Sequence, residues 1–151
     1  MSHLKIKPYL WSEFCLSEGG KTPWFFKETF RYPDVQKTIG LIEEFAAEYL
    51  LSHNAPTPRA LVAATIAQFP QAEALHAAFA LVSLAAHLEN PVVSLDTDGK
   101  SLARELYRCV SAFTADICAV SQMTTSQPTC ADIAAFWSMS KDTFFRGAAM
   151  R

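Results

Sequence analysis

The sequence predicts an all-α, single-domain bundle of about five to six helices around one central apolar helix (71–88), preceded by an aromatic-rich N-terminal arm (1–32) that is irregular or hairpin-like. Three observations lead there. Apolar residues recur at three- and four-residue steps through much of residues 34–122, the spacing of one helix face. Capping residues and prolines bracket those stretches, as in Thr57-Pro58 and Asn90-Pro91. Strand-like alternation is nearly absent outside residues 8–32.

Composition agrees with one folded domain. The chain has 151 residues, 50% of them hydrophobic. At that length folding buries roughly 68–70% of the extended surface, enough for a core without disulfide or metal staples. The apolar content and the net charge of -2 exclude a disordered chain. With 5 Gly and 8 Pro, a collagen-like or linker-like chain is excluded as well.

The arm, residues 1–32, holds eight of the 18 aromatic residues: Tyr9, Trp11, Phe14, Trp24, Phe25, Phe26, Phe30 and Tyr32. Gly19-Gly20 could supply a hairpin turn, but the loop Ser17–Thr22 is long for one, which favours an irregular arm laid over a helical core. Trp11, Trp24, Phe25 and Phe26 are candidate interface residues, since aromatic rings are favoured at interface centres.

Asp34–His53 is the first expected helix, with Asp34 as N-cap. Val35, Ile39, Ile42, Phe45, Ala46, Tyr49 and Leu50 form its apolar face, and Glu43, Glu44 and Glu48 fill much of the rest. Gly40 inside it costs about 1 kcal/mol relative to Ala, which argues for a close packing contact or a bend. Thr57 caps a second helix with Pro58 in its first turn, ending at Phe69. Gln71–Leu88 is apolar almost all round, as a central helix should be. After a loop over Val92–Gly99, Lys100–Gln122 is a long amphipathic helix with Leu102, Leu106, Cys109, Val110, Phe113, Ile117 and Val120 inward. A loop over Thr124–Pro128 leads to two short helices within 129–150.

Charge is uneven. Residues 1–31 and 99–151 are each +2, whereas residues 32–98 are -6. That pattern lacks the basic excess of a strong nucleic-acid binder but permits a small basic face near the C-terminus. The four cysteines, Cys15, Cys109, Cys118 and Cys130, form no C-x-x-C pair, and the N-terminus has no apolar run of signal-peptide length. The uncharged apolar stretch Ala74–Leu88 is shorter than the ~18–20 residues of a membrane span. A reduced, cytoplasmic protein that does not enter a membrane is expected.

Signals for enzyme chemistry are sparse. Glu73 and His76 have the Glu-x-x-His step of a carboxylate-bridged di-iron site, and Glu44 and Glu48 could turn inward, but the second Glu-x-x-His is missing. His76, Ala80, Ser83 and His87 share one face of the central helix and read as a small, weakly polar seam where another helix packs. The two histidines stand about 16 Å apart along the axis and cannot share a metal. Nucleophile-elbow, Walker, zincin and dinucleotide fingerprints are absent. No catalytic residue, metal or cofactor is expected.

One segment carries more. Residues 129–146 read Thr-Cys-Ala-Asp-Ile-Ala-Ala-Phe-Trp-Ser-Met-Ser-Lys-Asp-Thr-Phe-Phe-Arg. Thr129 and Asp132 have the spacing of a capping box. Ile133 and Trp137 face inward, and Ala134 is small where two helices must touch. Ser138-Met139-Ser140 would turn the chain, with Met139 plugging the core, Ser140 capping the second helix and Phe144 anchoring it. The segment resembles the helix-turn-helix DNA-binding unit of many bacterial repressors. Ser138 stands where that unit favours Gly, and Gly147 where it favours an apolar anchor. The resemblance implies that Ser140, Lys141, Asp142, Phe145 and Arg146 meet double-stranded DNA, commonly as a homodimer. On that reading Arg146→Ala weakens DNA binding and leaves the melting temperature nearly unchanged.

Two functions are therefore expected from the sequence: a small DNA-binding regulator, or a non-enzymatic helical module that binds protein, either a second copy of itself or another chain.

Overall fold

A computed structural model describes residues 33–54, 56–90 and 97–148. The aromatic arm, with Trp11, Trp24, Phe25 and Phe26, lies outside the described residues. Among the described residues there are six helices: α1 (Pro33–Ser52), α2 (Pro58–Gln68), α3 (Ala74–Glu89), α4 (Thr97–Ser121), α5 (Cys130–Met139) and α6 (Phe144–Ala148). Among the described residues there is no strand, so the all-α expectation holds.

Local chemistry explains most boundaries. The Thr57 hydroxyl accepts from the Ala60 amide at 3.1 Å, and Pro58 occupies the first turn of α2. At α5 the capping box forms in full: Thr129 accepts from the Asp132 amide at 3.3 Å, and Asp132 accepts from the Thr129 amide at 2.8 Å.

The central helix begins three residues later than the periodicity predicts. Residues 70–74 are claimed by a clasp with the start of α5. The Ala74 amide donates to the Pro128 carbonyl, and the Cys130 and Ala131 amides donate to Ala72 and Pro70. This makes a single antiparallel bridge between Glu73 and Thr129. α4 begins at Thr97, inside the stretch expected as a loop.

α3 packs chiefly against α4 and α1, and α2 packs against α4, α5 and α1. Ile39, Ile42, Leu61, Val62, Leu81, Leu88, Leu106, Val110, Phe113 and Ile133 are essentially fully buried. Burying such side chains stabilises the fold by about 1.5–3 kcal/mol each before chain entropy is charged against it. α3 is nonetheless not enclosed on every side, as its composition implied: Leu75 is 39% and Val82 41% exposed.

Two further expectations are corrected. Of the close packing contact or bend expected at Gly40, the contact is not made by the described residues: a Cβ placed there would meet none of them within 4 Å. Glu43, expected on the polar face of α1, is buried, whereas Glu44 is half-buried and Glu48 exposed.

Candidate functional site

The C-terminal helices are joined to α4 through one buried acid. Asp116 is fully buried on α4 and accepts three hydrogen bonds: from Trp137 Nε1 at 2.9 Å, the Phe144 amide at 2.9 Å and the Phe145 amide at 3.0 Å. A carboxylate at the first amides of α6 satisfies donors that a helix N-terminus otherwise leaves open. Thr143 adds a cap, its hydroxyl accepting from the Arg146 amide at 3.2 Å. Asp116 was missed in the sequence because its partners lie 21 to 29 residues away.

Above this acid the rings close into a stack. Phe145 lies on Trp137 with centroids 4.2 Å apart and planes 10° apart, and Phe113 meets Trp137 edge-on at 5.9 Å. The Arg59 guanidinium of α2 lies over the Phe145 ring, 5.2 Å from its centroid. The Arg146 guanidinium donates to the Trp137 carbonyl at the end of α5.

These contacts relocate several residues named from the sequence. Phe145 is 5% exposed, not part of an outer face, because it completes the Trp137 stack. Phe144, expected as the anchor, points outward at 63% exposure. Met139, expected to plug the core, is 81% exposed. Ala134 is exposed rather than at a helix contact. Ser140 ends α5, its amide donating to the Phe136 carbonyl, and does not cap α6. Lys141 and Asp142 are exposed as expected, and Ile133 and Trp137 do face the core. Arg146 is half-buried and holds α5.

Beside α6 an open groove of about 680 Å³ runs between Arg108, Ala112 and Ala115 of α4 and Asp142, Thr143 and Phe144. It brings one cation, one acid and one exposed ring together over a floor of small residues.

The other sites weighed from sequence resolve differently. Glu73 and His76 pair with each other, 3.4 Å apart. No cluster of three His, Cys, Asp or Glu among the described residues is arranged to hold a metal ion. Burial pushes the Cys130 thiol up to about 11 and raises Cys109, so both are held as thiols, the unreactive form. Among the described residues no helix is long and apolar enough to cross a membrane. Ala80 and Ser83, in the seam expected on α3, are buried, and Ser83 meets Glu43 of α1.

Next to that seam, Leu75, Phe79, Val82 and Ala86 recur at steps of four, three and four residues. Leu75, Val82 and Ala86 are exposed and Phe79 is half-buried. That spacing places the four residues on one side of α3. No family model matches the chain, and no curated protein or solved structure matches it.

Proposed function

We propose that this chain is a non-enzymatic helical protein-interaction module that associates with a second copy of itself. The observation that supports it is the apolar stripe Leu75, Phe79, Val82 and Ala86 on the central helix, which the described residues leave exposed except at the half-buried Phe79. Single exposed apolar residues are ordinary, but a run at heptad spacing over three turns is a surface made to be covered. An uncharged stripe is complementary to its own copy in a two-fold arrangement. Sedimentation equilibrium at micromolar concentration tests it: the wild type sediments as a dimer, and Leu75→Glu with Val82→Glu sediments as a monomer with unchanged helicity. A wild-type monomer at all accessible concentrations contradicts the reading.

DNA binding at the C-terminal end is the second reading. Arg108 lines the groove beside Phe144 and Asp142, and Lys141 is exposed next to them. On this reading Arg108 of α4 adds to the cations Lys141 and Arg146 of residues 129–146. Each phosphate contact adds salt dependence. Fluorescence anisotropy with random duplex at low salt shows binding that weakens in Arg108→Ala with Lys141→Ala; no wild-type binding at low salt removes this reading.

A further inference from the structure

Glu43 is the acid of α1 that the fold turns inward. It lies where α1 meets α3, 9% exposed, and its Oε1 is buried without a hydrogen-bond partner. Its polar contact is the Ser83 hydroxyl of α3. One turn further along α3, His87 carries a buried Nδ1 that also has no partner. A carboxyl group in such a place favours its neutral form, because the Ser83 hydroxyl, which favours the charged form, replaces only part of the water that burial removes.

Among the described residues, the groups around Glu43 supply no compensating charge. α1 packs on α3 and α2. The ionisable residue of α2 is Arg59, which lies over Phe145. On α3, His76 is paired with Glu73, and Glu89 accepts from the Tyr107 hydroxyl at 3.2 Å. His87 remains, and burial lowers its pKa, so it also favours the neutral form. Along α1 itself the adjacent ionisable groups are the acids Glu44 and Glu48, with Tyr49 beyond them and Lys37 exposed toward the N-terminal end.

We propose that Glu43 is a proton-operated latch on the α1–α3 seam: while protonated it lets α1 close on α3, and when ionised it loosens α1 and uncovers Ile39, Ile42 and Ala46. Burial pushes its pKa from the ordinary 4.5 up to about 7, which puts the change near neutrality. A raised folded-state pKa means that the stabilisation is complete below about 4.5 and is lost as pH rises through about 7. His87 acts in the opposite sense, costing stability as pH falls below its ordinary 6.5. A matched variant therefore separates the two. The latch does not depend on what the outer face of α3 binds.

The test is amide hydrogen exchange of α1, corrected for the intrinsic rate, in wild type and Glu43→Gln at about pH 5.5 and about pH 8. The expected result is that opening of α1 rises roughly tenfold or more with pH in the wild type relative to Glu43→Gln. Equal pH dependence in the two overturns the latch. If Glu43→Gln does not fold, the Glu43 carboxyl ¹³C shift is titrated in the wild type. A midpoint near neutrality with parallel loss of α1 protection supports the latch. A midpoint in the ordinary carboxylate range, or constant α1 protection through a neutral midpoint, overturns it.

Discussion

Asp116 and Gly40 are opposite cases of what one residue contributes. Asp116 satisfies an indole N–H and two backbone amides in a place water does not reach, so its loss strands donors rather than merely deleting a bond. Asp116→Ala is expected to lower stability by about 3 kcal/mol in urea unfolding, and Asp116→Asn to lower it by less, since one acceptor oxygen survives. Gly40 lies inside α1, and no described residue comes within 4 Å of where a Cβ would sit. Gly40→Ala is expected to raise stability by about 0.5–1 kcal/mol, read in the same unfolding experiment. Residues whose partners lie within a helical turn were legible from sequence, as Thr129 and Asp132 show. Asp116 and Glu43 were not, because an Asp or Glu at a helical position looks solvated until another helix is known to cover it.

At the scale of elements, α5 and α6 show how far a local pattern carries. The capping box, the inward Trp137 and the existence of two short helices were all readable. The placement of α6 was not, because Asp116 of α4 sets it. With five residues, α6 is held by its contacts rather than by its own helix propensity. Arg146 belongs to that hold through the Trp137 carbonyl. Arg146→Ala is therefore expected to lower stability by about 1–2 kcal/mol and the melting temperature by several degrees in a thermal scan. This reverses the sequence-only expectation of an unchanged melting temperature. The late start of α3 has the same origin. The period through 71–73 is helical, but the 70–74 backbone is bonded to residues 128–131, a pairing that no local window contains.

Across the whole molecule, α3 has two adjacent lengthwise faces of different character. The face with Ala80 and Ser83 is small and polar and meets α1, where Glu43 waits on a proton. The next face, with Leu75, Phe79, Val82 and Ala86, is apolar and, among the described residues, largely exposed. Composition alone made α3 the centre of the bundle, and its burial against α4 and α1 agrees. What composition could not give was which apolar face stays open, since that depends on where α1 and α4 sit around it. The claim that this open face joins two copies is tested most directly by isotope-filtered NMR on a mixture of methyl-labelled and unlabelled protein. The account predicts intermolecular NOEs from the Leu75 and Val82 methyl groups to the Phe79 ring of the other copy. An absence of intermolecular NOEs at millimolar concentration, or NOEs confined to another surface, would contradict it.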